Sequence, residues 1–247
     1  MIKEPNIYAV IIGSEILDRR REDKHFEYLS SSLAHIGLKL HASFIIKDDK
    51  DLMQQTYTMI HKDPHAIMFS FGGIGSTPDD LTRQVSANVF GDARLYRHPT
   101  FEKDIIKRLG ERAYPHPIKM ADLPKGSELL FNPINNMSGY HLSKRFFFMP
   151  GFPEMAQPMI DAILSSFMPE AQPLFHKGFI AHCGESTLQD LMTKVPKEIE
   201  LSSLPMMNNG NARVEFSLSS KDKDKLENEF LSFTKFLDTQ NIKYSLL

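Results

Sequence analysis

The stretch FSFGGIGSTPDDLTRQ, Phe69 to Gln84, combines a glycine-rich turn with two adjacent carboxylates. Its glycines are Gly72, Gly73 and Gly75. We expect them to take positive φ and to present backbone N–H groups to a phosphate. Asp79 and Asp80 follow a few residues later and would by themselves repel that phosphate. A divalent cation resolves the conflict, because carboxylates and phosphate oxygens are both ligands of hard cations. The stretch therefore predicts a site for a metal–phosphate pair.

A purely structural interpretation of the same residues stays open. Thr77 is a good helix N-cap, Pro78 is a good first helical residue, and Asp80 stands three residues after Thr77 as in a capping box. Asp79 and Asp80 would then only compensate a helix dipole, each contributing about 0.3–1 kcal/mol. Two other glycine motifs do not match, because the turn lacks the lysine of a P-loop and the third glycine of a dinucleotide fingerprint.

Strands and helices alternate through the first ninety or so residues. Apolar runs of strand length are Ile7–Ile12, Leu38–Ile46 and Ala66–Phe71, and apolar residues at three- and four-residue steps follow each of them. This alternation predicts crossover connections and a parallel sheet with helices on both faces. Ligands of such sheets bind beyond the carboxyl ends of the strands, which is where the glycine turn lies.

The order of the elements changes after the prolines near residue 170. The later elements are predicted to be a strand (Leu174–Ala181), a helix (Glu185–Thr193), two strands (Glu198–Ser203 and Ala212–Leu218), a helix (Asp222–Thr239) and a last strand (Lys243–Leu247). This βαββαβ order predicts a small α+β module of the ferredoxin-like type. We place the two domains at residues 1–168 and 169–247.

Composition narrows the range of functions. A net charge of −2 gives no electrostatic basis for binding nucleic acid, and the basic run Arg19–Arg21 is followed at once by two acids, so we interpret it as a solvated loop. Cys183 is the single cysteine, which excludes a disulfide framework and suits a reducing compartment. No apolar run approaches the length of a membrane span, and the first residues do not form a signal peptide. We therefore expect a cytoplasmic protein that binds neither membrane nor nucleic acid.

Several segments, in the same order along the chain, resemble the MoaB/Mog-type molybdopterin-binding domain, and more closely the N-terminal domain of CinA-type competence/damage-inducible proteins. GGIGSTPDDLT is similar to the family signature Gly-Gly-x-Gly-x-Thr-x-Asp-Asp-x-Thr. VIIGSEIL, FNPINNMSGYHL and FFFMPGFPEMAQPM are similar to its Gly-Asp-Glu, Asn-Pro and Leu-Pro-Gly-x-Pro segments, and CGESTLQDL with NGNARVEFSLSS resembles the small domain that follows. The resemblance implies a three-layer α/β/α domain with a mostly parallel sheet, followed by a small α+β domain.

The resemblance also implies a set of site residues. On the ligand and phosphate side these are Gly72, Gly73, Gly75, Ser76, Thr77 and Thr82, together with Gly13, Glu15, Pro150, Gly151 and Pro153 from neighbouring loops. The implied catalytic and metal-binding acids are Asp80 and Asp48, with Asp49 as the alternative register for the second acid. Two residues depart from the family pattern, since Ser14 stands in place of an aspartate and His25 in place of an asparagine.

The activity implied by the resemblance is cleavage of a nucleotide pyrophosphate, such as ADP-ribose or FAD, with Mg²⁺, Mn²⁺ or Co²⁺. One alternative is molybdopterin binding or adenylyl transfer, and another is a non-catalytic nucleotide-binding module, which the loss of a carboxylate at Ser14 favours. We expect a small nucleotide or pterin as ligand and assembly as a homo-oligomer. The family's amidase domain has no counterpart in this sequence, so we do not expect deamidation of nicotinamide mononucleotide.

Overall fold

The computed structural model describes residues 5–167, 174–208 and 211–247. The chain divides into two units, Met1–Ala171 and Gln172–Leu247. The predicted domain boundary, between residues 168 and 169, falls outside the described residues and stays a prediction.

The larger unit is built on a six-stranded sheet. The strands of this sheet are β1 (Asn6–Ile12), β2 (Leu40–Ile46), β3 (Ala66–Phe71), β6 (Glu128–Leu130), β7 (Gly139–Leu142) and β8 (Phe146–Met149). Two further strands, β4 (Leu95–Arg97) and β5 (Asp122–Pro124), form a separate two-stranded sheet. The strand order is β2-β1-β3-β8-β7-β6. The first four of these strands are parallel, and β7 is antiparallel to both of its neighbours. The prediction of a mostly parallel sheet is confirmed.

Helices cover both faces of this sheet. They are α1 (Ser14–Leu17), α2 (His25–His35), α3 (Lys50–His61), α4 (Thr82–Phe90), α5 (Pro99–Leu109) and α6 (Pro153–Phe167), with 3₁₀ turns at Gly110–Ala113 and Pro117–Ala121. Alternate residues of β1 face opposite sides, as the pleat of a strand requires. Val10 packs in the core beneath α3, α4 and α5, whereas Ala9 packs in the core beneath α2 and α6. The two cores make the unit a three-layer α/β/α domain.

The parallel strands end at one edge of the sheet. The loops that leave the carboxyl ends of β1, β2, β3 and β8 begin at Gly13, Lys47, Gly72 and Pro150. Backbone hydrogen bonds join the ends of these strands, because the Gly13 N–H donates to the Ile46 carbonyl and the Gly72 N–H donates to the Met149 carbonyl, each over 3.0 Å. Four separate segments of the chain are thereby gathered at one site.

The smaller unit has the predicted ferredoxin-like arrangement. Its elements are β9 (Phe175–Ala181), a 3₁₀ turn (Glu185–Leu188), α7 (Gln189–Met192), β10 (Glu200–Asn208), β11 (Asn211–Ser220), α8 (Lys223–Thr239) and β12 (Tyr244–Leu246). The four strands are antiparallel in the order β10-β11-β9-β12. The predicted helix over Glu185–Thr193 is one 3₁₀ turn and one α-helical turn. A core that includes Phe179, Phe216 and Phe233 lies between the sheet and α8.

Candidate functional site

The glycine loop, residues 72–81, connects β3 to α4, and its first two glycines are required by their conformation. Gly72 has φ +101° and Gly73 has φ +66°, values that residues with a side chain rarely adopt. A Cβ on Gly72 would lie 2.5 Å from the Ile12 carbonyl oxygen, and one on Gly73 would lie 2.5 Å from Thr82 Oγ1. The loop therefore runs in direct contact with the end of β1 and the start of α4.

Gly75 is required for a different reason from the one predicted. It is not among the glycines with positive φ, so that prediction is wrong for this residue. A Cβ here would lie 2.5 Å from Asp80 Oδ2, so the glycine leaves space for the carboxylate. Asp80 Oδ2 in turn accepts hydrogen bonds from the Thr77 N–H at 2.8 Å and the Thr77 hydroxyl at 2.6 Å. The carboxylate is thus fixed against the glycine loop.

Only half of the predicted capping box forms: the Asp80 carboxylate accepts from the Thr77 N–H, but no helix begins at Thr77. The Asp80 N–H donates to the Thr77 carbonyl over 3.1 Å, which closes a four-residue turn, and α4 begins only at Thr82. Thr77 is therefore not the N-cap, and Pro78 is not the first helical residue. The physical reason is that the side chains of Thr77 and Asp80 bond to each other, so the Thr77 hydroxyl donates to a carboxylate instead of accepting from a helical N–H.

Two residues of α4 hold the glycine loop from below. Thr82 is fully buried, and its hydroxyl donates to the Gly72 carbonyl at 2.9 Å. Arg83 is also buried, and its Nη2 donates to the Gly75 carbonyl at 2.6 Å while Nη1 donates to the Lys119 carbonyl. Burial lowers the pKa of the Arg83 guanidinium. The first part of the loop is therefore anchored through the carbonyl groups of Gly72 and Gly75.

Four consecutive N–H groups of the same loop have no hydrogen-bond partner among the described residues. Within the described part of the chain, no hydrogen bond is donated by the backbone N–H of residues 73, 74, 75 or 76. The Thr77 N–H, by contrast, is bonded to Asp80. Unpaired N–H groups after a strand are a common phosphate-binding arrangement.

The loop lines a cavity of about 550 Å³, a size typical of small-molecule sites. The predicted site residues on its wall are Glu15, Asp48, Gly72, Gly73, Gly75, Ser76, Thr77, Asp80, Pro150 and Gly151. Three other predicted residues do not line it, namely Gly13, Thr82 and Pro153. Thr82 supports the loop, as described above, and Pro153 is the buried first residue of α6. The ligand-binding roles of the predicted residues remain predictions.

Asp48 and Ser14 are paired at the cavity. Asp48 Oδ2 accepts hydrogen bonds from the Ser14 N–H at 2.9 Å and from the Ser14 hydroxyl at 3.0 Å. Asp49, the alternative register, is instead the N-cap of α3, and a hydrogen bond from the Leu52 N–H at 2.9 Å lowers its pKa. Of the two candidate acids Asp48 and Asp49, Asp48 is therefore the one that lines the cavity.

His25, the second departure from the family pattern, is a core residue. Its ring is buried 4.6 Å from the ring of Phe71, and Nδ1 lies 2.9 Å from Asp23 Oδ1. The side chain does not line the cavity. His25 therefore belongs to the packing behind β3 and not to the cavity wall.

Sequence reasoning missed several residues of the wall. Asn135 and Ser138 lie in the FNPINNMSGYHL segment, whose resemblance to the family was the available signal. Arg21 had no such signal and was assigned to a solvated loop, yet it lines the cavity and stacks on Phe152. Arg19 has φ +56°, and this turn folds the basic run back toward the site. A charge count along the sequence cannot detect that reversal.

The carboxylates of the cavity suit a metal ion that arrives with a phosphate ligand. No group of three or more His, Cys, Asp and Glu side chains in the described ranges is placed to hold a metal ion. Asp48 and Asp80 each have one oxygen bonded, while their Oδ1 atoms accept no hydrogen bond from the described residues. Mg²⁺ is usually held by one or two carboxylates plus substrate phosphates and water. The residues present fit that mode of binding and not a cage made of protein ligands alone.

The fold and the cavity define a class of protein, a three-layer α/β/α domain with a cavity at the carboxyl edge of its sheet. The chain belongs to the MoCF_biosynth family, described as "Probable molybdopterin binding domain", which matches residues 8–170. No helix in the described ranges is long and apolar enough to cross a membrane.

Two relatives extend the similarity into the smaller unit. A CinA-like protein of Flavobacterium psychrophilum is 27% identical over 239 residues, covering 89% of this chain and 55% of the relative. A CinA-like protein of Gloeobacter violaceus is 27% identical over 222 residues, covering 85% of this chain and 52% of the relative. The chain thus spans about half the length of these relatives.

A solved structure shares the fold of the larger unit. The protein CinA with unknown function from Thermoplasma acidophilum has a TM-score of 0.60 and 22% identity, covering 66% of this chain and 98% of that one. These matches confirm the prediction that the chain contains a MoaB/Mog-type domain that most resembles the CinA-like members.

Proposed function

We propose that the cavity binds a nucleotide pyrophosphate, such as ADP-ribose or FAD, and hydrolyses its P–O–P linkage with a divalent cation. The observation that carries the proposal is the loop with four consecutive N–H groups that no described residue pairs, beside the fixed carboxylate of Asp80. Preorganised N–H donors stabilise the negative charge of a phosphate at little reorganisation cost.

The charges of the cavity wall are the reason for the cation. Its acidic residues are Glu15, Asp48, Asp79 and Asp80, against which Arg21 is the one Lys, Arg or His among the described lining residues. A pyrophosphate in such surroundings meets strong repulsion unless a cation accompanies it. The Oδ1 atoms of Asp48 and Asp80 would hold Mg²⁺, Mn²⁺ or Co²⁺. When bound, such an ion neutralises phosphate charge and activates water as a nucleophile.

Hydrolysis would then follow ordinary phosphoryl chemistry. A water oxygen forms a bond to one phosphorus and the bond from that phosphorus to the bridging oxygen breaks. The bridging oxygen leaves with the other phosphorus as a terminal phosphate oxygen, and the two water protons pass to phosphate oxygens or to solvent. ADP-ribose would yield AMP and ribose 5-phosphate. Asp80 would orient the water, and the loop N–H groups would hold the phosphate under attack.

A second candidate is binding of molybdopterin without cleavage. It is favoured by the family to which the chain belongs. Ser14, whose hydroxyl bonds to one oxygen of Asp48, favours only the absence of cleavage, with a pterin or with a nucleotide as ligand. A phosphate-bearing pterin would use the same loop and cavity. Homo-oligomeric assembly and a cytoplasmic location stay predictions.

The test is incubation with ADP-ribose, FAD and NAD in the presence of Mg²⁺, Mn²⁺ or Co²⁺, with chromatography of the products. The informative variants are Asp80→Ala and Asp48→Asn, and Asp49→Asn is the matched control, because Asp49 caps α3 and does not line the cavity. Metal-dependent release of AMP that the first two variants lose and the control retains supports the proposal. Nucleotide binding without products contradicts hydrolysis, and tight molybdopterin binding without cleavage favours the second candidate.

A further inference from the structure

Among the residues that the structure describes, Arg21 has no partner of opposite charge. Its guanidinium lies 5.2 Å from the centroid of the Phe152 ring, and it forms no ion pair or side-chain hydrogen bond with any residue that the structure describes. Its neighbour Arg20 differs, because that side chain is 67% exposed, bonds to Asp18 at 3.1 Å and does not line the cavity. Arg21 therefore has its hydrogen-bond donors available at the cavity wall.

The backbone holds Arg21 at this position. The N–H groups of Arg20 and Arg21 both donate to the Glu15 carbonyl, at 2.9 and 3.0 Å. Glu15 itself lines the cavity, so the returning loop is tied to the wall. The backbone of Arg21 is thus fixed by the fold at the cavity wall.

Phe152, on whose ring the Arg21 guanidinium lies, is next to the glycine loop. It follows Gly151, whose Cβ position lies 3.2 Å from the Cα of Gly72. The Phe152 carbonyl accepts hydrogen bonds from two N–H groups of the first turn of α6, each at 3.0 Å, which fixes its backbone. Phe152 is 54% exposed, although its side chain is large and apolar. One aromatic ring therefore supports a guanidinium beside the start of the candidate phosphate loop.

We propose that Arg21, supported by Phe152, binds a second phosphate of the ligand, next to the phosphate held by the loop at residues 73–76. The inference rests on the proposed function and deepens it by naming the side chain that recognises the second of the ligand's two linked phosphates. The planar guanidinium matches phosphate oxygens in a two-point contact and stacks on aromatic rings, as lysine does not. It is also the one cationic side chain on the described cavity wall, where four acids would otherwise face the ligand.

The test compares binding of α,β-methylene-ADP, which cannot be cleaved at its phosphate linkage, with binding of AMP. Titration calorimetry with Mg²⁺ would be carried out on the wild type, Arg21→Gln and the matched control Arg20→Gln. Arg21→Gln should weaken binding of the diphosphate by about tenfold or more while changing AMP binding by less than about twofold. Arg20→Gln should leave both affinities at their wild-type values. Equal melting temperatures would show that the variants are folded.

Phe152→Leu should weaken diphosphate binding less than Arg21→Gln does, because it removes only the support of the guanidinium. Equal weakening of both ligands in Arg21→Gln, unchanged binding, or failure of the wild type to bind the diphosphate would each overturn the inference. Cleavage of ADP-ribose, measured on the same preparations, tests the proposed function separately. A protein that binds the diphosphate through Arg21 but cleaves nothing would support the inference and contradict hydrolysis.

Discussion

Ser14→Asp restores the carboxylate of the family pattern, and we expect it to make the stability of the larger unit depend on divalent cations. The substitution removes the hydroxyl that donates to Asp48 Oδ2 at 3.0 Å. A hydrogen bond to a charged group contributes about 1.5–3 kcal/mol when buried, and less at this partly exposed position. It also brings a second carboxylate to within roughly 3 Å of Asp48. Coulomb's law gives a repulsion of about 1.4 kcal/mol at the dielectric constant of water and about 5.5 kcal/mol at an effective value near 20.

Side-chain rotation and solvent screening will reduce the repulsion toward its lower limit. We therefore expect a loss of about 2–3 kcal/mol in the free energy of unfolding without divalent cations, or a fall of roughly 5–10 °C in Tm. Scanning calorimetry with EDTA, and then with Mg²⁺ or Mn²⁺, measures this change and can separate the transitions of the two units. Metal bound between the two carboxylates should recover about 2.7 kcal/mol at a hundredfold excess over its Kd.

The matched control is Ser14→Asn, which has the same shape as the aspartate but no charge. It should lose part of the hydrogen bonding to Asp48 and show no response to metal. Equal stabilities of the Asp and Asn variants in EDTA, with no effect of Mg²⁺ or Mn²⁺ on either, would refute the assignment of Ser14 and Asp48 to the metal side of the cavity.

Two further predictions concern the glycine loop and the core. Gly75→Ala should displace the Asp80 carboxylate, because the new Cβ would lie 2.5 Å from Oδ2. As a result, the release of AMP from ADP-ribose should fall by about tenfold or more. Gly184→Ala, where the nearest atom would be 3.7 Å away, is the control, and equal activity of the two variants would contradict this reasoning. Burial lowers the pKa of His141 below its ordinary 6.5, so the unfolded chain takes up this proton at a higher pH than the folded chain does. Wild-type stability should therefore fall below about pH 6.5 more steeply than that of His141→Gln, and parallel pH profiles from denaturant titrations would contradict this.

Much of the fold could be predicted because burial leaves a direct trace in the sequence. β1 and β3 are buried on both faces, so they read as continuous apolar runs, and the helices between them carry apolar residues on one face. β7 left no such trace, because it has four residues and includes His141, a polar side chain buried between aromatic rings. Short antiparallel strands of this kind are specified by their neighbours more than by their own composition.

The site was predicted less completely than the fold because its details depend on contacts between side chains. The start of α4 was misplaced because Thr77 and Asp80 bond to each other, a competition that a capping pattern cannot reveal. Arg21 was missed because its position depends on the Glu15 carbonyl, to which the returning backbone is bonded. Thr82 was assigned to the ligand side, but it lies beneath the loop because its hydroxyl bonds to the Gly72 carbonyl.

The central claim is that this cavity cleaves a pyrophosphate, and ³¹P NMR of ADP-ribose tests it most directly. With the wild-type protein and Mg²⁺, the two pyrophosphate signals should be replaced by two phosphomonoester signals. Without a divalent cation, or with Asp80→Asn, the pyrophosphate signals should persist. Unchanged pyrophosphate signals with wild-type protein and Mg²⁺, or equal cleavage by Asp80→Asn, would contradict the claim.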